Sequence, residues 1–260
     1  MKSTSSLRQI TNIAAVLATL AVNGLANALP LNGQMTGEIS DRFDVFFVPA
    51  GYVFSIWGLI YLGLIGFAVY QALPAQRSNP RLQAVGYLFA LSCAANMGWL
   101  FAWHYEQFAL SLLLMLALLV LLIVCYLRLE IGRSRVQAGE RWLVQAPFSI
   151  YLGWITVATI ANATSLLDYL NWSGWGITPM LWAAIMLATA VVVTGAVWLT
   201  RRDVAYALVI IWAFIGIALK HAGTPLVANT AWAATAAIVL LLASGLVLPK
   251  AGKPGLAGGD

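Results

Sequence analysis

The chain has 260 residues, of which 62% are apolar and only 9% charged, with a formal net charge of +5 and a mean hydropathy of +0.86. A soluble domain carries about 25% charged residues, so the composition excludes an ordinary water-soluble fold and makes lipid part of the solvent. The positive charges are scattered along the chain without clustering, which argues against a nucleic-acid partner.

Eight apolar runs follow one another, at residues 9–29, 51–73, 82–103, 108–127, 142–167, 179–199, 204–219 and 227–247. Each approaches or exceeds the length needed to cross a hydrocarbon core about 30 Å thick at about 1.5 Å per residue. No water reaches backbone amides at that depth, so each run is predicted to be helical. The expected fold is an all-α integral membrane protein with about eight transmembrane helices. The first run has the basic start of a signal peptide. Asn12, Asn23 and Asn27 interrupt it, however, and no small-residue cleavage site closes it, so it reads as the first span.

Residues 30–47 form the first long loop, which combines Glu38, Asp41 and Asp44 with Phe43 and Phe46. It can turn an acidic face to water and an aromatic face to the mouth of a bundle. In the second run Trp57 and Tyr61 are four apart. In the third, Asn96, Trp99 and Trp103 fall at steps of three and four, and in the fifth Tyr151, Trp154, Ala158 and Asn162 do the same. An amide in hydrocarbon needs a partner, so stripes that mix Trp with Asn should face the bundle interior. Two readings stay open. Either the amides bond between helices while the indoles fill the core, or the rings wall a cavity for a flat, mostly apolar ligand.

Of eleven tryptophans, Trp142, Trp172 and Trp175 read as interfacial anchors, a role also open to Trp103, whereas Trp57, Trp99, Trp154 and Trp212 read as deeper. Asn79 before Pro80, Thr178 before Pro179, and Asp203 are the expected helix caps. Lys220 can snorkel to lengthen the short seventh run. Cys93 and Cys125 lie in apolar runs and read as buried thiols. The glycine-rich tail at 250–260 reads as mobile.

Twelve of the fourteen basic residues lie at the N-terminus or in the gaps after the second, fourth, sixth and eighth runs; only Arg42 and Lys220 lie in the others. Short basic loops stay cytoplasmic, so both termini are expected on that side of a cell inner (plasma) membrane. No Asp, Glu, Lys or Arg falls near the middle of a run, which weakens the case for an ion-driven pump. No paired aspartates, His-Glu-x-x-His motif or serine with a histidine at membrane depth is present to suggest hydrolysis. His104 and His221 sit beside helix ends, where interfacial solvation is the simple reading and haem ligation the alternative.

The patterned stripes resemble the translocator protein family, the tryptophan-rich sensory proteins (TspO/MBR). Residues 151–162, with Tyr151, Leu152, Trp154, Ala158, Thr159 and Asn162, are similar to the family's Y-L-x-W-x-x-x-A-T-x-x-N. Asn96 and Trp99 are similar to its N-x-x-W. Pro49, Gly51, Val53, Phe54, Trp57 and Tyr61 are similar to its P-x-G-W-V-F-G-P-V-W-T-x-x-Y. The second-run motif is one residue short between Phe54 and Trp57, with Tyr52 in place of Trp and Ile56 where Pro is expected. Pro147 lies three residues before the family's position.

The resemblance covers about residues 5–171 and implies a five-helix bundle whose cavity binds porphyrins, sterols or synthetic aromatic ligands beneath the first loop. It implies a ligand site made of Phe54, Trp57, Tyr61, Asn96, Trp99, Trp103, Tyr151, Trp154, Ala158 and Asn162. Residues 172–249 then add three helices. No cofactor is required on this reading; porphyrin or haem enters as ligand, the bilayer and a hydrophobic small molecule are the partners, and a homodimer is left open. The expected function is a membrane-embedded sensor, binding protein or transporter for tetrapyrroles. An eight-helix small-solute permease and an enzyme acting on a membrane-soluble pigment or lipid are the alternatives.

Overall fold

The computed structural model describes residues 2–29 and 31–247; the tail at 250–260 lies outside them. The described chain is helical, with no strand. Eight main helices run in order: α1 (Lys2–Ala28), α2 (Ile56–Ala72), α3 (Leu88–His104), α4 (Phe108–Arg128), α5 (Ala146–Tyr169), α6 (Pro179–Arg201), α7 (Val204–Lys220) and α8 (Pro225–Val247). Six helical stretches among the described residues are long and apolar enough to cross a membrane, those of α1, α2, α4, α5, α6 and α8. Helices α3 and α7 have 17 residues each, the short end of what a bilayer requires.

Local chemistry sets the boundaries. Asn79 accepts from the N–H groups of Arg81 and Leu82, Thr178 from that of Leu181, and Asp203 from that of Tyr206, so all three expected caps form. The third run does not begin at residue 82. A short helix, Pro80–Val85, is broken from α3 at Gly86, whose φ of 57° suits only a residue without a Cβ. Pro147 has no N–H to donate four residues back, and the turn ahead of it, Arg141–Gln145, widens to a π-turn that leads into α5. The second run opens with a tight 3-10 turn, Gly51–Ser55, so the missing residue of its motif falls where the helix is being started.

Helices α1 to α5 close into a ring, each packed against two neighbours: α1 on α2 and α3, α2 on α5, α5 on α4, and α4 on α3. Phe67, Phe89 and Phe148 from α2, α3 and α5 meet at the ring's centre, with centroids 4.6 to 5.7 Å apart. Helix α1 turns a polar stripe inward that the aromatic patterns did not reveal: Gln9, Asn12, Thr19 and Asn23 are all buried. Gln9 and Gln71 exchange side-chain to backbone hydrogen bonds, and Asn23 donates to Asn96 Oδ1 at 2.9 Å. These bonds tie α1 into the ring as a packed member.

Helices α6, α7 and α8 pack on one another, and α7 docks against α5 and the Gly51–Ser55 turn. The approach is close. A Cβ on Gly153 of α5 would lie 3.1 Å from Tyr206 O, and one on Gly216 of α7 would collide with Val53. The Ala50 N–H donates to Gly216 O at 3.2 Å, and the Trp212 indole N–H to Val53 O at 3.1 Å. Trp212 is 36% exposed, so it straddles this seam, with part of its ring on the outside of the bundle. Asp203 is buried at the other end of the seam, accepting from the Tyr126 hydroxyl at 2.9 Å and the Ser149 hydroxyl at 2.6 Å.

Contacts gather the basic segments at this second end: Arg77 donates to Gln9, Arg81 pairs with Glu140, Arg128 donates to Ala84 O and Arg201 to Ile131 O. Arg42 and Lys220 stand at the opposite, loop end, paired with Glu106 and Asp41. Single cysteines at the exposed positions Ser78 and Gln137, against Gln107 and Ser173, should therefore label from opposite sides of sealed cells once Cys93 and Cys125 are replaced. We expect external reagent to reach only Gln107 and Ser173; labelling of all four from one side would refute the arrangement.

Candidate functional site

Between α2, α3 and α5, beneath the first loop, lies a cleft enclosing about 480 Å³ of empty space, its open mouth included. Seven of the ten residues singled out in the sequence line it: Phe54, Trp57, Trp99, Trp103, Trp154, Ala158 and Asn162. The rings form a layered wall. Trp57 stacks on Tyr61 and on Trp99, and Trp99 on Trp103, with centroids 5.6 to 6.2 Å apart and planes within 25°. Trp154 stands edge-on to Phe54 and Trp57, at 80° and 83°.

Asn96 and Tyr151 do not line the cleft, and Tyr61 reaches it only through its stack on Trp57. Asn96 is fully buried against Asn23, and the Tyr151 hydroxyl lies beside it, so this pair forms a polar layer in the ring's interior. Asn162 lines the cleft and is also held between helices. Its Oδ1 accepts the Trp99 indole N–H at 3.1 Å, and its amide donates to Ser111 Oγ at 3.1 Å. The amides thus follow the packing alternative, whereas the indoles wall open space.

One donor in that wall is unsatisfied. Trp154 is 2% exposed, and its indole N–H is buried without a hydrogen-bond partner. A buried donor left unpaired costs about 1 to 3 kcal/mol, which an acceptor brought within its reach would recover. Ala158, one turn away, is only half-buried and borders the space.

The lining also includes Thr36, Ser40, Pro49, Val157, Ala161 and Ser165, which sequence reading missed. Ala161 and Ser165 continue the stripe of Trp154 and Ala158 at helical steps, a signal present in the pattern. Thr36 and Ser40 stand one turn apart on a short helix within the first loop, Thr36–Asp41, and Pro49 follows it, in a segment that reads from the sequence as a connector or a lid without helical structure. The loop is pinned to the end of α3. Trp103 donates to Thr36 O at 3.2 Å, Asn32 to His104 O at 3.0 Å, and Gln34 and Arg42 both reach Glu106 at 3.0 Å. Phe43 packs on Trp103 and Phe108. Trp103 is thereby buried and no interfacial anchor, and His104 is not solvated: it is fully buried, with Nδ1 2.8 Å from Leu100 O and Nε2 3.3 Å from Thr36 Oγ1.

A family model described as TSPO-like protein matches residues 9–244, a stretch that takes in α6, α7 and nearly all of α8 as well as the five-helix ring. No curated protein and no solved structure matches the chain.

Proposed function

The chain belongs to the TSPO-like protein family, and from that premise we propose that it is a membrane-embedded binding protein, sensor or transporter for porphyrins or other flat hydrophobic ligands. The observation that carries this reading is the cleft walled by Trp57, Trp99, Trp103 and Trp154, with the Trp154 N–H buried and unpaired. Offset or edge-on ring contacts add about 0.5 to 1.5 kcal/mol each, and the free indole donor selects a ligand that carries an acceptor on its rim. In this reading residues 1–171 form the binding bundle. Residues 172–249 support it, since α7 backs the segment that supplies Pro49 and Phe54. The basic end faces the cytoplasm.

Titration of the purified protein with a porphyrin, read by tryptophan quenching, tests the binding, and flux of the same porphyrin into proteoliposomes separates transporter from sensor. Saturable quenching is expected; its absence would remove the reading.

The loop acts as a lid. Hydrogen bonds from Gln34 and Arg42 hold the Glu106 carboxyl below its ordinary pKa, so the tie is intact above the usual carboxylate range and is lost only as the pH falls through that lowered value. Glu106→Gln should therefore raise the porphyrin dissociation rate several-fold at pH 7 with little change in thermal stability. An unchanged rate would make the loop a simple connector.

A further inference from the structure

The loop end holds five carboxylates, Glu38, Asp41, Asp44, Glu106 and Asp168, and two fixed cations. Both cations are committed, Arg42 to Glu106 and Lys220 to Asp41, and Glu38 accepts the Met35 N–H at 2.8 Å. Asp44 and Asp168 remain, with no ion pair or hydrogen bond to their carboxylates among the described residues. Both line one cavity, about 600 Å³ of empty space with its mouth included, between the loop, the end of α5 and the start of α6. His221 lies toward Asp44, but burial, and after it Lys220, lower its pKa from the ordinary value and so disfavour the charged ring as a partner for that carboxylate.

The rest of the wall is aromatic. Trp172, Trp182 and Phe46 line the cavity. Trp175, 77% exposed, stands at its rim against both indoles, 5.2 Å from Trp172 and 5.9 Å from Trp182. The Trp182 N–H is already given to Gly174 O at 2.9 Å, so that ring lines the cavity with no free donor. Interfacial anchoring accounts for indoles at this level. It does not account for two unpaired carboxylates brought into the same hollow. Negative charge beside electron-rich ring faces favours a cation that can also make apolar contact. A strongly hydrated metal ion would gain the carboxylates and nothing from the rings.

We infer that this cavity binds an organic ammonium group, carried either by a soluble amine or by a lipid headgroup. It uses Thr164, Leu167 and Asp168 near the C-terminal end of α5, none of which lines the aromatic cleft. Choline is the probe, titrated into the full chain in a maltoside detergent with sodium chloride as the ionic-strength control and binding read by intrinsic fluorescence. We expect a saturable response that the Asp44→Asn/Asp168→Asn pair weakens at least about tenfold. Trp154→Phe and Asp41→Asn should leave it intact, the first because it alters only the aromatic cleft and the second because it alters charge outside the cavity. In nanodiscs, loss of the choline response with phosphatidylcholine but not phosphatidylglycerol would assign the site to a lipid headgroup, and retention in both to a soluble amine. Both carboxylates are exposed, so the paired variant should keep its thermal-unfolding midpoint. No saturable response in the wild type, or an equal response in a folded Asp44→Asn/Asp168→Asn protein, would overturn the assignment.

Discussion

Asp203→Ala should lower the thermal-unfolding midpoint in detergent by roughly 10 °C, corresponding to about 3 kcal/mol for a chain of this size. The carboxylate is 7% exposed and serves three donors at once: the Tyr126 hydroxyl from α4, the Ser149 hydroxyl from α5 and the Tyr206 N–H in the first turn of α7. Alanine removes a helix cap, about 1 kcal/mol, and leaves two buried hydroxyls to find new partners or none, at about 1 to 3 kcal/mol each before relaxation. Asp203→Asn keeps one carbonyl oxygen to accept and should lose less than half as much. A midpoint within about 1 °C of wild type for the alanine variant would show that Asp203 does not clamp the last three helices to the ring.

The second large effect concerns binding. Trp154→Phe keeps an aromatic edge against Phe54 and Trp57 but deletes the unpaired N–H, so the protein itself loses no hydrogen bond. Ala158→Leu adds volume at a position that borders open space, where the side chain can intrude without pushing helices apart. Overpacking at a tight crossing would instead cost about 1 to 3 kcal/mol of stability. Both variants should stay folded and weaken porphyrin quenching at least about tenfold, roughly 1.4 kcal/mol. Lost stability with unaltered affinity would return α5 to a packing role.

The helical class and the eight runs were legible because length, apolarity and charge placement are local properties of the sequence. The caps at Asn79, Thr178 and Asp203 were legible for the same reason, since a cap acts within three residues. Gly86 was not read as a break because apolar residues on both sides keep the run continuous in composition. The indole stripes of α2, α3 and α5 pointed to one cleft because helical spacing fixes which residues share a face. That rule could not tell which members reach the cavity: Asn96 and Tyr151 share stripes with cleft residues but lie in the polar layer against α1. His104 read as solvated because its sequence neighbours say nothing of the loop folded over it. The inward stripe of α1 was readable in principle, since Gln9, Asn12, Thr19 and Asn23 repeat at helical spacing, but it carries no aromatic mark.

Whether a flat ligand occupies the cleft is tested most directly at Ala158. In a background without Cys93 and Cys125, Ala158→Cys places a thiol at the cavity wall for alkylation by a maleimide in detergent. Saturating porphyrin should slow that labelling at least about tenfold while leaving a cysteine at the exposed Ser78 unaffected. Equal labelling of Ala158→Cys with and without porphyrin, under conditions where tryptophan quenching shows the porphyrin bound, would place the ligand elsewhere and contradict the account.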